Sequence, residues 1–175
     1  MHCLVILGLA AAVSAPPPLV LDVSPERGAL EVRVVLEAEL PTAFTETLPS
    51  GALVRVAYPI RVRSKRWLIW DGRLWKGLIT SQAVFDPITD RYRCELLLDE
   101  IVVESREVET VEAAEEWLRA PPAVRLVLDD LKDLDRLYVR ARAIFSSSTT
   151  LLVFPNHEGT DWVSVSVIEA AADDE

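Results

Sequence analysis

The sequence predicts a mostly β fold, an antiparallel β-sandwich or open barrel with one short helix at about 110–119 and a helical turn near 42–48. Three observations predict this fold. Short runs of alternating apolar and polar residues recur along the chain, as in strands with one buried face. Clusters of Gly, Pro and Asp separate these runs. One segment, "TVEAAEEWLR", instead repeats its apolar residues at helical spacing.

The N-terminal stretch "MHCLVILGLAAAVSAPPP" is typical of a secretory signal peptide. Its apolar run from Cys3 to Val13 is too short to span a bilayer, and small residues follow it. We therefore predict a signal peptide at 1–15, a single β-rich domain at 16–168 and an acidic, disordered tail at 169–175. The alternative is a buried first strand. Because a signal peptide directs export, we expect an exported, periplasmic or envelope-associated protein. The rest of the chain has no segment long and apolar enough to cross a membrane.

The first predicted elements are two strands and a helical turn. Alternation predicts strands at Leu19–Val23 and Leu30–Leu36, joined by a turn at Pro25–Gly28. Thr42–Leu48 fits one or two helical turns, because the proline and glycine that follow it would stop a helix.

A long alternating strand begins at Val54. Its even positions are apolar and its odd positions are largely cationic, which indicates a half-buried strand with a cationic outer face. Pro59 cannot donate a ladder hydrogen bond, so we expect this strand to lie at a sheet edge or to bulge there.

The segment "RWLIWDGRLW" places three tryptophans in ten residues. Its Asp-Gly dipeptide at 71–72 favours a two-residue type I′ hairpin turn, which would place Leu68 opposite Trp75. Trp70 and Trp75 would then share the core-facing side of the basic strand, while Trp67 would lie on the other side. A division between two faces favours a hairpin core over a single recognition patch.

The rest of the chain predicts more strands and one helix. The alternating apolar residues occupy even-numbered positions up to Leu98 and odd-numbered positions from Ile101, which predicts a bulge or turn at Asp99–Glu100. Thr110 is a suitable N-cap for the helix, and two prolines follow its end. The predicted strands have the sequences "GLITSQAVF", "RYRCELLL", "IVVESREV", "AVRLVL", "RLYVRARAIF", "TTLLVF" and "DWVSVSVI".

Few residues are suited to catalysis or metal binding. His157 is the one histidine beyond the predicted signal peptide, and Cys94 falls on the apolar side of its strand. Transition metals need several such ligands, so we expect no metal, no cofactor and no enzymatic activity. Two alternatives stay open, a carboxylate-based envelope hydrolase and a calcium-dependent binding domain. The acidic loops that could bind calcium contain Asp86, Asp90, Asp129, Asp130, Asp133 and Asp135.

Charge is distributed unevenly along the chain. The net charge of −10 disfavours nucleic acid as a partner, yet residues 52–85 carry seven basic groups and one acid. This asymmetry suggests a noncatalytic domain that docks on an acidic envelope protein or on an anionic envelope component such as lipid headgroups. The candidate binding residues are Arg55, Arg61, Arg63, Lys65, Trp67, Arg73 and Lys76.

A structural interpretation of the same cations also stays open. They would pair with acids on neighbouring strands, and basic residues on an edge strand would discourage unwanted strand pairing. The acids suited to this pairing are Glu31, Glu37, Glu104 and Glu107.

The order of the elements resembles that of a known family. A short helix and a glycine lead into the basic strand and a "WLIWD" hairpin, and the segments "DRYRCELL", "VEAAEEWL", "YVRARAIF" and "DWVSVSVI" follow. From about Leu19 to Ile168 the chain is similar to exported bacterial proteins grouped as domain of unknown function 4390. The resemblance implies a mostly β domain in the bacterial cell envelope after a signal peptide. It implies no activity, cofactor or catalytic residue.

Overall fold

The computed structural model describes residues 19–65, 72–128, 134–147 and 159–167. They form two antiparallel sheets and two short helices. The strands are β1 (Leu19–Glu26), β2 (Ala29–Leu36), β3 (Val54–Ser64), β4 (Gly72–Asp86), β5 (Arg91–Leu98), β6 (Ile101–Val108), β7 (Val124–Val127), β8 (Leu137–Ala141), β9 (Ile144–Ser147) and β10 (Val163–Ser166). The helices are α1 (Thr42–Thr47) and α2 (Val111–Arg119). The predicted mostly β, antiparallel fold with a short helix is confirmed.

The two sheets differ in size and share one hydrophobic core. The small sheet has the strand order β1–β2–β7, and the large sheet has the order β10–β8–β3–β4–β5–β6, with β9 also paired to β3. Alternate side chains of β1, β2 and β3 are buried because each strand has one inward face. Residues of both sheets and of α2 contribute to a single buried cluster. The core therefore lies between the inner face of the large sheet and the layer formed by the small sheet and α2.

Strand β3 lies inside the large sheet, and the expectation that it forms an edge was wrong. It pairs with β4 along one side and with β8 and β9 along the other. Pro59 is tolerated because it coincides with the gap between those last two strands: Ala57 pairs with Ile144 and Ile60 with Ala141. The β-bulge of β3 and β4 lies elsewhere, between Val62 and Arg63.

The β3–β4 hairpin has a different register from the one predicted. Val62, not Leu68, is the partner of Trp75, and Ser64 pairs with Gly72. Gly72 therefore already belongs to β4, which is incompatible with a two-residue turn at 71–72. Trp75 does share the inner face with Val62 and packs against the core, as predicted. Trp67 and Trp70 lie outside the described residues.

Helix α2 is attached to the large sheet by buried hydrogen bonds. Its N-cap Thr110 accepts a hydrogen bond from the backbone N–H of Ala113, as the sequence predicts. At its other end, the buried Tyr58 hydroxyl donates to the Leu118 carbonyl over 2.7 Å, and Ser81 donates to the Trp117 carbonyl over 2.9 Å. These bonds fix the helix over the inner face of β3 and β4.

Two further predicted features have definite outcomes. The turn at Asp99–Glu100 is confirmed, and both residues have positive φ, 48° and 68°. The segment predicted as one strand over 136–145 is instead divided into β8 and β9.

The predicted signal peptide, the acidic tail and the strand "TTLLVF" lie outside the described residues. Within the described ranges, no helix has the length and apolar character needed to cross a membrane.

Candidate functional site: a cationic surface around Trp162

Cations from three adjacent strands lie side by side on the outer face of the large sheet. Arg61 of β3 is paired with Lys76 of β4 on one side and with Arg140 of β8 on the other. Two residues further along β3, Arg63 is opposite Arg73. Cross-strand partners share a face of the sheet, so these pairs place like charges against each other.

The cations of this region form what we call the cationic surface. The backbone N–H of Lys65 donates to the carbonyl of Arg136, which brings the end of β3 beside the start of β8. Alternation along β8 then points Arg140 to the same outer side, because Leu137, Val139 and Ala141 are buried. The cationic surface comprises Arg61, Arg63, Lys65, Arg73, Lys76, Arg136, Arg140 and Arg142.

Trp162 lies against three of these guanidinium groups. The distance from its ring centroid is 4.4 Å to the Arg61 Cζ, 5.2 Å to the Arg142 Cζ and 5.3 Å to the Arg140 Cζ. Each distance is within the range of a cation–π contact, in which the ring face attracts the positive charge. We call these four residues the Trp162 centre.

The backbone around the β8–β9 gap positions Trp162. The Thr160 N–H donates to the Ala143 carbonyl over 3.0 Å, and the Ala143 N–H donates to the Thr160 hydroxyl over 2.9 Å. Gly159 pairs with Ile144, and a Cβ at this glycine would lie 2.4 Å from the Ala143 carbonyl oxygen. The close backbone contact therefore requires glycine. Since Val163 pairs with Ala141, the same register directs the preceding Trp162 toward Arg142.

The described acids do not neutralise the cationic surface. The salt bridges found among the described residues join Arg91 to Glu107 and Glu109, and Arg125 to Glu26, all away from this surface. The Nε atoms of Arg63 and Arg142 are buried and have no hydrogen-bond partner among the described residues. Buried guanidinium N–H groups usually have a partner, so these two atoms are exceptions.

The alternative interpretation, in which the basic strand pairs with four named glutamates, is wrong. Glu31 lies on β2 of the small sheet, opposite Ser24 and Arg125. Glu104 and Glu107 lie on β6, three strands away from β3 in the large sheet. Glu37 follows β2 and is exposed. The actual strand neighbours of β3 contribute further cations instead.

Among the predicted binding residues, Arg55 is separate from the cationic surface. Its Nε donates to the Gln82 side chain over 2.8 Å, and the Gln82 amide donates to Glu95 over 2.6 Å. Arg55 is thus connected to a carboxylate through one polar residue. Arg61, Arg63, Lys65, Arg73 and Lys76 are brought together as predicted, and Trp67 lies outside the described residues.

Sequence reasoning missed Arg136, Arg140, Arg142 and Trp162. The signal for the arginines was present, because "RLYVRARA" alternates cations with apolar residues as strongly as the basic strand does. What alternation does not indicate is which strands become neighbours. The contact with Trp162 depends on a pairing between β8 and β10, which are distant in sequence.

The residues considered for catalysis occupy other surroundings. Cys94 is buried on the inner face of β5, and burial raises the pKa of its thiol to about 11, which disfavours a thiolate nucleophile. Asp86 and Glu107 line a small polar pocket with Arg91 and Arg93. Backbone N–H donation from Ile88 lowers the pKa of Asp86, which is opposite to the shift that a general acid needs. His157 lies outside the described residues.

Within the described ranges, the acidic loops do not bring together a set of calcium ligands. The Asp86 carboxylate accepts the Ile88 N–H over 2.9 Å and so stabilises its own turn. No group of three or more acidic, histidine or cysteine side chains that could hold a metal is found in the described parts of the chain. Asp129, Asp130 and Asp133 lie outside them.

Comparison with known proteins identifies the family of the chain but gives no function. The family model "Domain of unknown function (DUF4390)" matches residues 20–154, which include all eight residues of the cationic surface but not Trp162 or β10. No curated protein and no solved structure gives a significant match. Because the family model covers most of the sequence, this chain belongs to the DUF4390 family.

Proposed function

We propose that this domain is a noncatalytic binding protein of the bacterial cell envelope and docks on an anionic partner through the cationic surface. The observation that carries the proposal is the position of Arg61 between Lys76 and Arg140. Directly opposed like charges destabilise a sheet, and no described acid forms an ion pair with them. An anionic partner would offset the repulsion.

The overall charge of the protein makes this surface selective. The chain carries a net charge of −10, so an anion is repelled by most of the molecule and attracted by this one region. Such an asymmetry orients an approaching partner more than it adds affinity. It favours binding in one orientation.

Two observations support a binding role over a catalytic one. The buried Cys94 thiol has a pKa raised to about 11 and is therefore protonated near neutral pH. The two acids that share a pocket, Asp86 and Glu107, face arginines there, and Glu107 lies 3.9 Å from Arg91. The envelope location is supported by the N-terminal sequence, which is typical of a signal peptide.

The test compares charge reversal on the cationic surface with equal reversal elsewhere. The test variant is Arg61→Glu/Arg63→Glu/Lys65→Glu, and the control variant is Arg27→Glu/Arg33→Glu/Arg106→Glu. All three control residues are exposed and lie outside the cationic surface. Both variants and the wild type are incubated with isolated bacterial envelopes and sedimented at several salt concentrations. Circular dichroism verifies that both variants are folded.

We expect the wild type and the control variant to sediment with the envelopes and the test variant to remain in the supernatant. Binding should decline as salt increases, because exposed charges are screened. Equal sedimentation of the test and control variants would contradict the proposal, since it would mean that the cationic surface contributes nothing beyond net charge.

A further inference from the structure

The three guanidinium groups of the Trp162 centre occupy a small area. Arg61 and Arg140 are directly opposed on adjacent strands, where Cα atoms lie about 4.5–5.5 Å apart. Arg142 is two residues further along the chain from Arg140, and all three groups contact one indole ring. A ligand at this point therefore meets several guanidinium groups at once.

The number of donors indicates the kind of anion that fits. One guanidinium can satisfy both oxygens of a carboxylate through two parallel hydrogen bonds. Several converging guanidinium groups need an anion with more acceptors and more charge. A phosphomonoester provides three terminal oxygens and close to two negative charges at neutral pH. It can accept hydrogen bonds from separate arginines at the same time.

The indole ring restricts the arginine side chains to positions in which their N–H groups can donate to such a ligand. Stacking against an aromatic face holds a guanidinium by its plane and leaves the N–H groups at its edge able to donate. It also reduces the rotational freedom that each side chain would lose on binding. Trp162 itself is half-buried, and the Arg142 Nε beside it has no partner among the described residues.

We infer that the Trp162 centre is a binding site for a phosphomonoester group, held by the guanidinium forks of Arg61, Arg140 and Arg142. The inference rests on the proposed function and specifies its ligand class. Lys76, opposite Arg61, adds positive charge at the side of the site. The acid nearest in sequence, Asp161, is exposed and forms no salt bridge with the described arginines.

The first test follows the arginine side chains by NMR. Inorganic phosphate, phosphoserine or acetate is added to the ¹⁵N-labelled protein at constant ionic strength, and the Nε–Hε resonances are recorded. We expect saturable shifts for Arg61, Arg140 and Arg142 with both phosphate compounds, and no saturation with acetate. Arg27 and Arg106 should not respond. No saturable shift, or equal saturation by acetate, would overturn the inference.

A charge-conserving variant separates the guanidinium geometry from simple attraction. Arg61→Lys/Arg140→Lys keeps the positive charge but loses the forked donors. We expect this variant to bind phosphoserine about tenfold more weakly than the wild type, because hydrogen bonds to charged groups are lost. Arg27→Lys/Arg106→Lys is the matched control and should bind as the wild type does. Equal affinity in both variants would also overturn the inference.

Vesicles identify the source of the phosphomonoester. Phosphatidylcholine vesicles containing phosphatidic acid present it on a lipid, whereas vesicles with phosphatidylglycerol present a phosphodiester of lower charge. Tighter binding to phosphatidic acid vesicles than to phosphoserine supports a lipid source, and the reverse order supports a soluble or glycan-borne one. Equal binding to the two vesicle types, unchanged in Arg61→Lys/Arg140→Lys, would contradict a phosphomonoester site.

The two proposals can fail separately. If phosphate compounds do not bind but charge reversal still abolishes envelope sedimentation, the cationic surface docks on another kind of anion. If charge reversal has no effect on sedimentation either, the docking function itself is wrong.

Discussion

The Arg61 guanidinium carbon lies 4.4 Å from the centroid of the Trp162 ring, although β3 and β10 are separated by β8 in the sheet. This contact connects β3 to the residue that precedes β10, an edge strand of the large sheet. It also explains how Arg61 can remain next to Lys76 and Arg140, because the ring face stabilises a cation that its strand neighbours repel. The cations proposed to bind an anion are therefore the same ones that repel each other across the strands.

Replacing Lys76 with glutamate should stabilise the protein. Lys76→Glu changes a repulsive pair with Arg61 into an attractive one, and opposite charges at such positions contribute about 0.2–1 kcal/mol. We expect the free energy of unfolding, measured by urea titration, to increase by that amount at low salt and by less at high salt. Lys76→Gln should give a smaller gain. A loss of stability in Lys76→Glu would show that the repulsion is not significant.

Arg61 and Trp162 should be energetically coupled. A double-mutant cycle with Arg61→Ala and Trp162→Ala should give a coupling energy of about 0.5–1 kcal/mol in unfolding experiments, which is typical of a partly exposed cation–π pair. Arg27→Ala combined with Trp162→Ala is the control and should be additive. Additivity in both cycles would mean that the contact does not stabilise the fold.

Glycine should stabilise the β5–β6 turn more at position 100 than at position 99. Glu100 has a φ of 68°, which is strained for a residue with a side chain, so Glu100→Gly should raise the free energy of unfolding by about 0.5–1 kcal/mol. Asp99→Gly also relieves a positive φ but removes the carboxylate that accepts the Leu78 N–H over 2.8 Å. We expect it to give less stability than Glu100→Gly. Both variants are compared by thermal unfolding. Equal midpoints for Glu100→Gly and Asp99→Gly would show that the hydrogen bond of the Asp99 carboxylate does not stabilise the turn.

Stability should decline in alkaline solution partly because of Cys94. Burial raises the pKa of its thiol from about 9 to about 11, while the positive charge of Arg106 lowers it to a smaller extent. The unfolded chain therefore releases this proton at lower pH than the folded chain, and the stabilising contribution is lost between pH 9 and pH 11.

Cys94→Ala should have a flatter stability profile over the first part of this range. Tyr58 and Tyr92 also have pKa values raised by burial, so they contribute to the decline above their ordinary pKa of 10. The difference between wild type and Cys94→Ala should therefore be clearest between pH 9 and pH 10, measured by urea titration. Parallel profiles there would show that Cys94 does not contribute.

Local sequence patterns were sufficient to predict most of the elements. β5 and β6 have the predicted bounds; β5 alternates exposed and buried residues, and the turn at Asp99–Glu100 ends it and begins β6. Helix α2 begins after the predicted cap at Thr110. The buried positions of β3 were also correct, since strict alternation determines which face is apolar.

The incorrect sheet-edge and hairpin predictions and the missed site residues all concern which segments become neighbours. Pro59 suggested a sheet edge because its missing N–H limits pairing, but a gap between β8 and β9 meets the same requirement inside the sheet. The Asp-Gly dipeptide at 71–72 suggested a tight turn, yet Gly72 pairs with Ser64, and the pairing of Trp75 with Val62 preserves the common inward face. Arg140 joined the candidate site because β8 pairs with β3, a relationship that local periodicity does not contain.

The most direct test of the docking surface is photocrosslinking in living bacteria. A photoreactive amino acid at position 76 lies within the cationic surface, and the same residue at position 27 lies on the turn before β2. After irradiation, adducts are identified by mass spectrometry with and without Arg61→Glu/Arg63→Glu. We predict an adduct with an anionic envelope component at position 76 that is absent at position 27 and is lost in the charge-reversed variant. The same adducts at both positions, unaffected by charge reversal, would contradict the account.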